Sequence, residues 1–200
     1  VRHIETTSAK PVATETAPAA AAGHLTGRKE SGIHAQANVT NAETPALLGE
    51  GNPNAAIVFI GAVTGREEER AGKLFAGPAD KLLTDIIVKG MKLKREDVYI
   101  CGIESSPQPD TGESWEPLLK TRLQAIKPRV IVALGNVASK ALLKTTEDFS
   151  SLRGKWHVYD STPLMPTFDP PHLFQNPNDK KPVWEDIQKV MEKLGMKTKQ

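Results

Sequence analysis

Three short apolar runs, each closed by a glycine, constrain what this chain can fold into. They are Ala56-Ile-Val-Phe-Ile-Gly61, Asp97-Val-Tyr-Ile-Cys-Gly102 and Arg129-Val-Ile-Val-Ala-Leu-Gly135. Apolar runs without polar alternation read as strands covered on both faces, the pattern of a parallel sheet. Helical stripes lie between them. Pro78 suits a first helical turn, after which Leu82, Leu83, Ile86 and Ile87 share a face that Gly90 closes. Leu118, Leu119, Arg122, Leu123 and Ile126 form a second stripe, stopped by Pro128. Asn136 is placed to cap a helix over residues 137–143. Residues 164–168 predict a fourth strand. Trp184, Ile187, Val190, Met191 and Leu194 predict a last helix closed by Gly195. This alternation predicts a three-layer α/β/α domain around a mainly parallel, four-stranded sheet. Such sheets bind ligands beyond the carboxyl ends of their strands. The loops after Gly61, Gly102, Gly135 and Phe168 are therefore where chemistry is expected.

Residues 1–46 read differently. They are rich in Ala and Thr and contain no Phe, Tyr, Trp or Cys. Their few aliphatic residues follow no period, so they bury too little apolar surface to offset the entropy of ordering. A disordered tail is expected there, with the folded domain over 47–197. Through Asn52 the chain has four basic and five acidic residues, which leaves 22 basic and 19 acidic in the remainder. That balance is too mild to argue for nucleic acid by itself. The one cysteine, Cys101, excludes an internal disulfide and any cysteine-built zinc or iron–sulfur site from this chain alone. A single unpaired thiol fits a reducing cytoplasm. No apolar run is long enough to span a bilayer, and no signal peptide is visible.

Taken one at a time, the loops are ambiguous. Gly61-Ala-Val-Thr-Gly65 matches neither a P-loop nor the dinucleotide-binding glycine pattern, and a structural turn explains its spacing. Cys101 reads as an inert core residue. Gly135-Asn-Val-Ala-Ser-Lys140 opens a helix, where free amides hold a phosphate or simply form a capped turn. Met165-Pro-Thr-Phe-Asp-Pro-Pro-His-Leu-Phe174 is unusually stiff, and a lone histidine such as His172 is more often a packing residue than a catalyst.

In combination these segments resemble the family 4 uracil-DNA glycosylases. That family shows Gly-Glu-Ala-Pro-Gly, then Glu-Asp, then Gly-x-Pro-Phe-x-Gly. The matching stretch here is Gly61-Ala-Val-Thr-Gly65, Glu68-Glu69 and Gly72-Lys-Leu-Phe75-Ala-Gly77. Arg95-Glu-Asp-Val-Tyr-Ile100 and Pro128-Arg-Val-Ile-Val-Ala-Leu-Gly135 match its second and third strands. Leu152-Arg-Gly154 and Pro166-Thr-Phe-Asp-Pro170 match its closing motifs. The resemblance runs through residues 47–195 in order.

It implies a fold that flips a base from DNA and hydrolyses its bond to the sugar. It also implies specific losses. The family's stacking Phe falls at Phe75, and Gly61 and Gly102 complete the implied base site. The water-activating Glu falls at Ala62, the uracil-reading Asn at Gly102 and the hydrogen-donating His at Asp169. Two of the four cluster cysteines fall at Ser106 and Trp115, so no 4Fe–4S cofactor is expected. Glu67, Glu68 and Glu69 read as a solvated acidic turn. Gly65, Lys140, Arg153, His172 and Leu173 are placed to meet DNA if the family's DNA path is retained, with Leu173 as a wedge into the duplex. Lys140 and Arg153 are equally well read as ordinary surface charges. The expectation is a monomeric, DNA-binding member with weak or no uracil excision. One alternative is an active glycosylase of altered base preference that uses Asp169. Another is a small-ligand or protein-binding module.

Overall fold

A computed structural model describes residues 47–63, 74–104 and 114–196. The tail expected over 1–46 lies outside the described residues.

The predicted parallel sheet is present and larger than expected. Strands β2 (Ile57–Val63), β3 (Tyr99–Glu104), β4 (Val130–Leu134) and β6 (Thr162–Thr167) run parallel in the order β3-β2-β4-β6. Two antiparallel edge strands bring the described sheet to six: β1 (Leu47–Gly51) on β3, and β5 (His157–Tyr159) on β6. Neither edge was legible. Leu47-Leu-Gly-Glu-Gly51 has no period-two pattern, and β5 is three residues long.

Side-chain alternation along the central strands sends successive residues to opposite layers. Phe59, Ile100, Val132 and Met165 pack on one face against Leu83, Ile87, Val183, Ile187 and Val190. These come from α1 (Gly77–Asp85), its continuation Ile86–Gly90 and the last helix, α6 (Lys180–Lys193). Val58, Ile60, Cys101, Ile131 and Leu164 pack on the other face against Leu119, Leu123, Ile126, Ala138 and Leu142. These come from α2 (Trp115–Ile126) and α3 (Gly135–Leu143). Two short helices, α4 (Phe149–Leu152) and α5 (Pro170–Gln175), flank the β5–β6 hairpin. No described helix is long and apolar enough to cross a membrane.

Several local expectations change. Asn136 does not cap α3. That helix begins at Gly135, whose φ of +85° lets β4 turn directly into the helix, leaving Asn136 exposed in the first turn. Leu118 is exposed, so the core stripe of α2 is Leu119, Leu123 and Ile126. Gly90 ends a π-helical turn, and the Trp184 ring packs where its side chain would be, 2.9 Å from an added Cβ. Edge strand β1 is anchored by Arg95, whose Nη2 pairs with Glu50 at 2.6 Å and Asp80 at 2.5 Å. Its Nη1 donates to Thr84 Oγ1 at 2.7 Å, so one guanidinium ties β1 to α1.

The β5–β6 hairpin turns through Asp160 and Ser161, with φ of 44° and 71°. Two consecutive left-handed residues make a turn that favours Asn-Gly, and Ser161 carries a Cβ where glycine is preferred. Ser161→Gly is therefore expected to stabilise the domain by about 0.5–1 kcal/mol, read as a higher midpoint in chemical denaturation.

Candidate functional site

The parallel register places the loop-bearing ends of β2, β3 and β4 side by side. Gly61 pairs with Gly102 on one side and with Leu134 on the other. Both glycines face the α1/α6 layer, since Ile60, Cys101 and Ile103 face the α2/α3 layer. Leu74 and Phe75 lie on Gly61. A Cβ there would stand 3.0 and 3.3 Å from the two Leu74 methyls and 3.3 Å from Phe75 Cζ. The absence of a side chain at position 61 thus admits the ring. Phe75 is largely covered, 5% exposed, and belongs to the core cluster on that face.

Asp169 is reached from the neighbouring strand. It follows β6 and caps α5, its Oδ1 accepting the His172 backbone N–H at 2.9 Å. Pro170 at the first helical position suits that cap. The same carboxylate lies against Gly135, where any Cβ would collide with it. Gly135 directly follows Leu134, the register partner of Gly61. Gly61, Gly102, Phe75 and Asp169 are thus gathered at one edge of the sheet.

Ala62 is the exception. It is partly buried and packs with Trp115 against the cluster on the opposite sheet face. The residue in the implied Glu position therefore points away from the layer that holds Phe75. Trp115, in an implied cysteine position, adds apolar packing there. Gly65, along with Thr64, the three glutamates and Ser106, lies outside the described residues.

The implied DNA contacts separate into different roles. Leu173 cannot act as a wedge in this arrangement. It is 2% exposed and lines an apolar cleft of about 230 Å³ with Leu82, Ile86, Val183 and Ile187. One step around the helix turns the next side chain outward, and Phe174 is 50% exposed. Arg153 is turned inward. Its Nη1 pairs at 2.7 Å with Oδ2 of Asp186, which is 1% exposed, and the same oxygen accepts from Thr167 Oγ1 at 2.8 Å. The Arg153 guanidinium also lies 5.4 Å from the Phe168 ring centroid. Lys140, half-buried on α3, makes no ion pair among the described residues and remains available to an anion. His172 stacks flat on Phe168, centroids 4.2 Å apart and planes 3° apart, and its Nε2 lies 2.6 Å from Asp179 Oδ2.

Cys101 is buried, and desolvation pushes its thiol up to about 12 despite a nearby Arg122. It is inert as a nucleophile or ligand at neutral pH. Burial also raises the Asp186 carboxyl, against the lowering effect of Thr167 and Arg153.

Asp186, Asp179 and the stacking role of Phe168 escaped the sequence reading. Only Asp186 left a signal: a carboxylate at a core-facing position of the stripe Val183, Asp186, Ile187, Val190. Its partners are distant in sequence and could not be named from it.

A family model described as the uracil DNA glycosylase superfamily matches residues 48–188. A type-4 uracil-DNA glycosylase of Saccharolobus solfataricus is 35% identical over 167 residues, covering 76% of this chain and 77% of that protein. Those of Sulfurisphaera tokodaii and Thermotoga maritima are 34% and 33% identical, covering 74% of this chain each and 74% and 82% of the relatives.

The Asp186 network yields two expectations. Asp186→Ala leaves Arg153 and the Thr167 hydroxyl without their partner, and should destabilise the domain by about 2–4 kcal/mol, less than a fully buried pair because Arg153 is partly exposed. A carboxyl raised in the fold adds stability below its unfolded value of 3.8, and that contribution fades as pH rises through the folded value. The stability of the wild type relative to Asp186→Asn should therefore increase as pH falls across that window, as read from denaturation midpoints at successive pH values.

Proposed function

We propose, on the premise that this chain belongs to the uracil DNA glycosylase superfamily, that it is a DNA-base-recognition domain with weak or no uracil excision. The observation that carries this reading is the pairing of Gly61 with Gly102 beside the Phe75 ring. A base-excising site needs a ring to stack the flipped base, a polar group to read its edge and donors for the departing anion. A ring is present at position 75, packed on Gly61 and 5% exposed. Position 102 offers no side chain, position 62 is an alanine on the far side of the sheet, and position 169 carries an acceptor where the resemblance implies a donor. An ionised Asp169 disfavours negative charge developing on a leaving uracil.

The four-cysteine cluster implied by the resemblance does not fit this chain. Cys101 is the only cysteine, it is buried, and Trp115 is packed at one implied ligand position. A cysteine-held cluster requires four thiolates.

Binding to DNA rests on Lys140 as a phosphate contact and on Phe174 as the exposed apolar side chain at the corner where Leu173 is buried. Arg153 is assigned a structural role instead.

A second reading is supported by the orientation of Asp169. The His172 amide fixes one oxygen of a half-buried carboxylate at the sheet edge. Such a group could activate water or stabilise a sugar cation for a base that leaves more readily than uracil. A panel of deaminated and alkylated bases separates the two readings.

Uracil release from single- and double-stranded DNA is expected to be at least about 1,000-fold slower than by an intact enzyme, given the usual cost of losing a catalytic base and an anion-stabilising donor. Rapid turnover that disappears in Phe75→Ala or Asp169→Asn would overturn the proposal.

A further inference from the structure

The ring of His172 is held flat on a second aromatic ring. One face lies parallel to Phe168 at a centroid distance of 4.2 Å. Phe168 is in turn braced edge-on by Phe149 at 5.5 Å and by the Arg153 guanidinium at 5.4 Å. Arg153 is locked by the buried Asp186. The platform is therefore rigid from the core outward, while the His172 side chain remains 34% exposed.

Both ring nitrogens are already engaged. Nε2 lies 2.6 Å from the Asp179 carboxylate, to which only a protonated nitrogen can donate. Nδ1 lies 3.3 Å from the Asn176 amide nitrogen. One tautomer, with the proton on Nε2, satisfies both contacts. Neither nitrogen is left for a phosphate, and the adjoining Asp179 carboxylate repels one. What the side chain still presents is aromatic surface, three residues beyond Asp169 at the edge of the candidate base site.

From this we infer that His172 binds a nucleobase by stacking, as the outer ring of a His172–Phe168 platform, and does not contact the DNA backbone. The inference rests on the reading that this domain binds DNA. The ligand is an unpaired base beside the one held at Phe75. Stacking tolerates any base and is insensitive to salt, unlike a phosphate contact.

The experiment is a titration of the full chain with a uracil-free single-stranded oligonucleotide at several salt concentrations, using wild type, His172→Ala, His172→Phe and His172→Lys. Thermal unfolding of each variant serves as the control for folding. His172→Ala should weaken binding roughly 5- to 150-fold with the salt dependence unchanged. His172→Phe, which keeps the ring against Phe168, should retain binding, and His172→Lys should not. If alanine binds as well as wild type, the inference is wrong while the DNA-binding reading stands. Rescue by lysine and not by phenylalanine, with a salt slope altered by about one, would assign a phosphate contact instead. A wild-type chain that binds no DNA would sink the DNA-binding reading, and this inference with it.

Discussion

The arrangement at the functional edge depends on the register that pairs Gly61 with Gly102 and Leu134. A parallel sheet presents the carboxyl ends of its strands together, and side chains alternate strictly between its faces. A slip of one residue would turn Gly61 toward the α2/α3 layer and bring Ala62 under Phe75, where the ring would meet a methyl group. The register is held by apolar contacts on both faces, so the glycines need contribute nothing to stability. Their contribution is space, which Leu74 and Phe75 fill.

A second constraint acts from the other side of the site. Asp186 gathers Thr167 at the end of β6 and Arg153 from the turn after α4. Arg153 braces Phe168, Phe168 supports His172, and the His172 amide holds Asp169. A buried carboxylate of this kind is costly to desolvate and adds less stability than its contacts suggest. Its physical effect is positional, holding the end of β6 and, through Arg153, the ring of Phe168 in the two-residue link that leads into α5.

The strands and long helices were readable because burial on both faces leaves uninterrupted apolar runs, and burial on one face leaves a 3.6-residue stripe. The family was readable because several short motifs occur in order. Phe75, Gly61, Gly102 and Asp169, named together from the motifs, lie at one edge of the sheet. Ala62 was grouped with them because it follows Gly61 in a motif, whereas its pleat position sends it to the opposite face. Leu173 was expected to project toward DNA, but the first turn of α5 directs it into the core. Asn136 was expected to cap a helix that in fact starts two residues earlier than predicted, at a left-handed glycine.

The amino-acid order alone determined that this chain builds a layered α/β domain, that it carries one cysteine, and that alanine, glycine and aspartate stand at positions 62, 102 and 169. Those are matters of local pattern and residue identity. Only the tertiary structure decided which of these positions share a sheet face, that Arg153 is turned inward to a carboxylate 33 residues away, and that the His172 ring lies flat on Phe168 with its Nε2 against Asp179. Each of those facts depends on contacts between segments far apart in the chain, and no local period encodes them.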